Sequence, residues 1–145
     1  MKHLIFIGIL IVAVLVAGCT TAAPSSGTTT ATGIPDLTGN WTGSMTSFVN
    51  GTGYVTYPES SMTMTVSNQT GRIFSGTMFF TQNPGTVETQ TFAGVIGRDG
   101  RTITLVNEGG GYDVDSTLIS ENEIELVYVK GAPPYIISLD SLKRV

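Results

Sequence analysis

One hairpin decides the fold class of this chain, and its sequence, residues 61–80, is SMTMTVSNQTGRIFSGTMFF. Apolar Met62, Met64 and Val66 alternate with threonines, which is the period of a β-strand with one buried face. The polar sequence NQTG, residues 68–71, then leads into a second run rich in Phe and Thr. The stretch therefore predicts two antiparallel strands joined by a turn.

The same pattern continues on both sides of this hairpin. Turn sequences, among them GRDG at 97–100, separate further runs at 37–48, 89–96, 101–106, 112–119, 123–129 and 135–145. No 12-residue stretch in this part has a convincing helical period. We therefore predict an all-β domain at 37–145 with about eight antiparallel strands. Short sequential connections favour a closed up-and-down barrel, which removes exposed sheet edges, and a two-sheet β-sandwich is the alternative.

A barrel of eight strands has an interior that side chains fill or that holds one small ligand. The alternation predicts which apolar side chains face inward: Met62, Met64, Phe74, Met78, Phe92, Ile103, Leu105, Val114, Leu118, Ile124, Leu126 and Ile137. Five of these are the predicted lining of a ligand cavity: Met62, Met64, Phe74, Met78 and Phe92.

The start of the domain, LTGNWTG at 37–43, resembles the Leu-Thr-Gly-x-Trp opening of avidins and, more loosely, the Gly-x-Trp signature of lipocalins. The passage FSGT at 74–77, together with the turn before it, also resembles the second and third strands of avidin. The resemblance implies an eight-stranded barrel in which Trp41 plugs one end beneath a basic residue of the last strand, Lys143 or Arg144.

The resemblance does not extend to the biotin site of avidins. That site needs an asparagine two residues after the tryptophan, a serine six residues after it and further tryptophans. Here Gly43 and Ser47 occupy the two positions, and Trp41 is the sole tryptophan. The resemblance therefore implies architecture and leaves the ligand open.

The first 36 residues predict that the protein is exported and anchored to a membrane. Lys2 precedes a 14-residue apolar run at 4–17, which is typical of a helical signal peptide, and VAGC at 16–19 resembles the lipobox of secreted lipoproteins. We predict a signal peptide at 1–18, and a lipidated Cys19 with a flexible Thr-, Ser- and Pro-rich stalk at 19–36. An uncleaved membrane helix is the alternative. Both place the domain at the cell surface, on the outer face of the cytoplasmic membrane.

Charge and composition exclude several function classes. Loss of residues 1–18 removes Lys2 and the sole histidine, His3, and leaves six Lys and Arg against 11 Asp and Glu. This acidic balance disfavours nucleic-acid partners. Without histidine, or cysteine beyond Cys19, the domain cannot build Ser-His or Cys-His catalytic groups, disulfides or His/Cys zinc sites. No catalytic residue, cofactor or metal is predicted.

Carboxylates are the remaining candidates for chemistry. Asp113 and Asp115 lie two apart on a predicted strand, as do Glu121, Glu123 and Glu125 around the next turn, so each set shares a face. Such a cluster can bind calcium or act as an acid-base pair. The favoured interpretation is a solvated outer face opposite inward Val114, Ile124 and Leu126. The glycine-rich EGGGYD at 108–113 precedes no helix and has no lysine, which predicts a rim loop.

Three Asn-x-Thr sequons predict glycan acceptors if the host glycosylates exported proteins: Asn50 and Asn68 in predicted turns, and Asn40, the least accessible. The leading hypothesis for function is a non-enzymatic, lipid-anchored barrel that binds a small hydrophobic ligand or an envelope component. One alternative is an enzyme that uses Asp113, Asp115 or Glu123. Another is an adhesion or inhibitor module that acts through loops such as 107–111. No oligomeric state is predicted.

Overall fold

The computed structural model describes residues 33–83 and 86–145, which form a closed antiparallel barrel. Its strands follow one another around the barrel in chain order: β1 (Gly39–Val49), β2 (Gly53–Thr70), β3 (Ile73–Asn83), β4 (Thr86–Ile96), β5 (Thr102–Asn107), β6 (Tyr112–Ser120), β7 (Glu123–Lys130) and β8 (Ile136–Arg144). The predicted eight-stranded up-and-down barrel is confirmed, and the two-sheet sandwich is excluded. The predicted signal peptide, Cys19 and most of the stalk lie outside the described residues.

The barrel closes where β1 pairs with β8, from Trp41 opposite Arg144 to Val49 opposite Ile136. Gly43 lies at the closest approach of these strands, because a Cβ at this position would lie only 1.7 Å from the carbonyl oxygen of Ser141. A side chain there would force the two backbones apart. No helix in residues 33–83 and 86–145 is long and apolar enough to cross a membrane.

One half of the barrel interior is filled by apolar side chains. The rings of Phe74 and Phe92 pack edge to face in this core, with centroids 6.0 Å apart. Ten of the twelve predicted inward residues are buried, as predicted: Met62, Met64, Phe74, Met78, Phe92, Ile103, Leu105, Leu118, Ile124 and Leu126.

Two predicted inward residues do not belong to this core, and each has a structural reason. Val114 is only half-buried because β6 contains a bulge, in which Asp115 has a φ of 53° and the pairing with β7 shifts by one residue. Ile137 is 52% exposed, because in β8 the inward positions are held by Ser138, Asp140 and Leu142.

The filled half ends at what we call the plug end, where Trp41 is fully buried. The indole Nε1 donates a hydrogen bond to the carbonyl of Leu37 at 3.0 Å, and the guanidinium carbon of Arg144 lies 4.2 Å from the ring centroid. Arg144 also donates to the carbonyls of Asp36 and Thr38, both at 2.7 Å. The segment before β1 is therefore fastened across this end of the barrel.

Candidate functional site

A cavity occupies the opposite end of the barrel, which we call the open end. Its volume is about 860 Å³, within the roughly 300–1,000 Å³ usual for small-molecule sites. Apolar side chains form much of its wall: Met45, Val55, Tyr57, Phe80 and Ile136. The polar side chains of the wall include Ser47, Ser61, Gln90, Tyr128, Ser138 and Asp140. One barrel therefore has a packed half and a hollow half.

The floor of the cavity is a row of hydroxyls that ends at a carboxylate. Ser47 Oγ donates to Ser138 Oγ at 3.0 Å, and Ser138 Oγ donates to Asp140 Oδ1. Asp140 pairs with Met45 of β1 and is 2% exposed. The hydroxyl hydrogen of Ser138 thus favours a negative charge on Asp140, and the hydrogen bond from Ser47 keeps Ser138 in this donating orientation.

A second carboxylate, Asp113, lies near Asp140 and is also 2% exposed. Burial, and to a lesser extent the charge of Asp140, raises the pKa of Asp113 to about 7. Burial likewise raises the pKa of Asp140 to about 6, although the hydrogen bond from Ser138 opposes this shift. Near neutral pH, Asp113 therefore holds a proton more readily than Asp140 does.

The prediction that Asp113 lies on a solvated outer face is wrong, and the bulge in β6 is the reason. Alternation counted back from buried Leu118 would place Ser116 and Val114 inside. The extra residue at Asp115 shifts the alternation, so Asp113 turns inward instead. Ser116 stays buried and its Oγ accepts a hydrogen bond from the amide of Val127 at 2.8 Å.

Asp140, Ser138 and Ser47 were not among the predicted site residues, although the sequence holds a signal for them. Strand positions two apart share a face, so Trp41 places Ser47 inside the barrel, and Leu142 places Ser138 and Asp140 inside. Polarity alone would place the apolar neighbours inside the barrel and the two serines and Asp140 outside. In the structure those neighbours, Phe48, Ile137 and Leu139, are exposed.

Two cavity side chains keep a buried polar atom without a hydrogen-bond partner among the described residues. Ser61 is 5% exposed, and its Oγ has none. Gln90 donates through Nε2 to Glu88, but its Oε1 has no donor. An unsatisfied buried polar atom costs about 1–3 kcal/mol, so both atoms are unused capacity in the cavity wall.

The glycine-rich loop supports one side of the cavity, which agrees with its prediction as a rim loop. A Cβ on Gly111 would lie 2.1 Å from the ring of Tyr128, and one on Gly109 would lie 2.6 Å from the amide of Gln90. The glycines therefore leave room for the two cavity side chains to pack against the loop backbone. Burial raises the pKa of Tyr128.

The charged side chains around the cavity are mostly acidic. Glu59, Glu88 and Asp140 line it together with one base, Lys130. Lys130 pairs with Ile136, four residues along β8 from Asp140, which is about 13 Å at 3.3 Å per residue. The base therefore lies at the rim and the carboxylate at the floor. Two tyrosines, Tyr57 and Tyr128, complete the ionisable lining.

The other predicted site residues lie away from the cavity. All five residues predicted to line it, Met62, Met64, Phe74, Met78 and Phe92, pack in the apolar core and none lines the cavity. At the plug end it is Arg144 that covers Trp41, whereas Lys143 is exposed. The three sequon asparagines are exposed, Asn40 included, and Asn68 lies within β2 instead of in a turn.

The remaining candidate carboxylates do not form a metal site with Asp113. Asp115 and Glu121 are exposed, and Glu123 and Glu125 are half-buried. Within the described ranges, 33–83 and 86–145, no three His, Cys, Asp or Glu side chains are grouped so that they could hold a metal ion.

The chain matches no protein-family model, and comparisons with curated proteins and with solved structures found no similar protein. The likeness to avidins and lipocalins is thus confined to short motifs. The structure itself shows an eight-stranded antiparallel barrel.

Proposed function

We propose that this protein binds a small molecule in the open-end cavity, without turning it over, and presents the barrel at the cell surface through a lipid on Cys19. One observation carries the binding proposal: the barrel fills one half with apolar side chains and leaves about 860 Å³ open in the other. The lining of that space includes four buried polar side chains, although burying polar groups costs stability: Ser47, Ser61, Ser138 and Asp140. Such a cost is common at functional sites.

Methionine methyl groups offer a direct test of binding. Met45 lines the cavity, whereas Met62, Met64 and Met78 lie in the packed core. The probes are phenyl and indolyl compounds with alkyl chains of two to four carbons that end in an amine, an alcohol or a carboxylate. With ¹³C-methyl methionine in the full chain, we expect binders to shift the Met45 signal more than the other three.

A pair of variants locates the binding in the cavity. Val55→Trp places an indole in the cavity wall, while Thr56→Trp makes the same type of change at the next, exposed position. We expect Val55→Trp to weaken binding at least about tenfold and Thr56→Trp to leave it unchanged. If no probe shifts Met45 at millimolar concentration, or if Val55→Trp binds as well as the unaltered chain, the cavity is not a binding site.

A second candidate function is supported by the buried carboxylates. Two carboxyl groups with different pKa values can act as general acid and general base, and Asp113 and Asp140 have values near 7 and 6. Mass spectrometry of each bound probe after incubation separates the two functions. Recovery of the unaltered compound supports binding alone. An altered product that Asp140→Asn no longer forms supports the enzyme.

The anchor is tested by Cys19→Ser. Because the cysteine sulfur would carry the lipid, we expect this variant to lose incorporation of radiolabelled lipid precursor and to be released from membranes. The measurement is membrane fractionation with lipid labelling in a host that processes lipoproteins. A Cys19→Ser chain that stays membrane-bound and is processed like the unaltered chain would contradict the lipid anchor.

A further inference from the structure

We propose that the ligand of the open-end cavity is a small organic cation whose protonated amine binds Asp140 at the floor while its apolar part contacts the cavity wall. The inference rests on the proposed binding function and names the ligand class. Asp140 is the buried carboxylate of the lining, whereas Glu59 and Glu88 are exposed. Ser138 donates a hydrogen bond to Asp140 and accepts one from Ser47, so its hydroxyl already supports the charge of Asp140.

The unused hydrogen-bonding capacity of the wall also suits a donor. Gln90 Oε1 is a pure acceptor with no donor, and Ser61 Oγ, in a side chain that is 5% exposed, can accept as well. A protonated primary amine has three N–H donors and no acceptor, so it can satisfy a carboxylate and further acceptors together. A carboxylate ligand would bring only acceptors to a floor that already carries negative charge.

The charge balance of the cavity favours the same ligand class. Glu59 and Glu88 add acidic groups to the lining, and the one base, Lys130, lies about 13 Å along the strands from the level of Asp140. Asp113, which is buried near Asp140 but does not line the cavity, adds a further ionisable carboxyl group. An incoming cation therefore meets a largely acidic cavity and offsets the cost of burying the charge of Asp140.

Size and wall chemistry favour an organic cation over a metal ion. The cavity is far larger than a hydrated metal needs, and no group of three His, Cys, Asp or Glu side chains in the described part of the chain could ligate one. Tyr57 and Phe80 provide aromatic surface for a hydrocarbon body, and aromatic faces attract ammonium groups as well.

The test compares charge classes on the same carbon skeleton. The amine, alcohol and carboxylate probes described above are titrated at pH 7.5 against the full chain, with the Met45 methyl signal as readout. We expect each amine that binds to do so at least tenfold more tightly than its alcohol and carboxylate counterparts. Asp140→Asn should reduce that preference below twofold, because the amide keeps the shape and removes the charge.

Asp115→Asn is the matched control. It makes the same change on an exposed residue of the bulge, and asparagine tolerates the positive φ found there. We expect the amine preference to persist in this variant. Asp140→Ser removes the same charge with a smaller side chain and should also reduce the preference below twofold, which keeps the inference testable if Asp140→Asn does not fold.

The outcomes separate the inference from the function on which it rests. Two results would overturn the proposal that the ligand is an organic cation and leave binding in the cavity intact. One is that alcohols or carboxylates shift Met45 as strongly as the amines do. The other is that Asp115→Asn lowers the amine preference as much as Asp140→Asn does. If no probe of any charge class shifts Met45, both proposals fall.

Discussion

Asp113→Asn is expected to raise the melting temperature at pH 8 by about 10 °C, equivalent to about 2–4 kcal/mol. In the unfolded chain this carboxyl group has its usual pKa of 3.8, whereas in the folded barrel burial and Asp140 raise it to about 7. The folded state therefore binds more protons between these two values. The stability that protonation contributes is complete below pH 4 and is lost as pH rises to about 7. An asparagine cannot ionise and avoids this loss.

Thermal unfolding from pH 4 to pH 8 measures the effect, with the fluorescence of buried Trp41 or circular dichroism as readout. At pH 4 the variant and the unaltered chain should differ by no more than about 2 °C, because Asp113 is then protonated in the folded barrel and its carboxyl group in the unfolded chain is only about half ionised. Asp115→Asn is the control, since that carboxylate is exposed. An unchanged pH slope in Asp113→Asn would contradict the buried ionisation, and so would an equal gain in Asp115→Asn.

Trp41→Ala is expected to destabilise the barrel by about 3–5 kcal/mol, a large part of the roughly 5–15 kcal/mol that such domains possess. The substitution empties the plug end, leaves the Leu37 carbonyl without its donor and removes the ring beneath Arg144. Chemical denaturation followed by circular dichroism measures the loss, because the variant has no tryptophan left to fluoresce.

Phe79→Ala provides the comparison for this loss. Phe79 is also an aromatic residue of the barrel, but it is 38% exposed and faces outward. We expect it to cost less than about 1 kcal/mol. If Phe79→Ala and Trp41→Ala lowered the free energy of unfolding equally, the plug end would contribute no more to stability than the outer face of the barrel does.

The fold could be predicted from the sequence because strand alternation and turn residues are local signals. Met62, Met64 and Val66 alternate with polar residues, and each faces the core as the alternation requires. The plug could be predicted from the resemblance, although only the structure distinguishes Arg144 from Lys143. Both lie at the end of the last strand, and a shift of one residue exchanges the inner and outer faces.

The site could not be predicted in the same way, because it reverses the rule that polar side chains face water. In β8 two of the residues that line the cavity, Ser138 and Asp140, are polar, while their apolar neighbours Ile137 and Leu139 are exposed. In β6 a single bulged residue at Asp115 moves Asp113 inward. A bulge depends on pairing with neighbouring strands, so one strand's composition does not reveal it.

The segment before β1 determines which way a barrel tethered through it would point. The described chain starts at Gly33, and Asp36, Leu37 and Val145 all make contacts at the plug end, with Val145 bonded to the carbonyl of Asn40. A tether attached ahead of Gly33 would therefore hold the barrel by its packed base. The mouth of the cavity would then face away from the support, and solutes would reach it without crossing the gap beneath the protein.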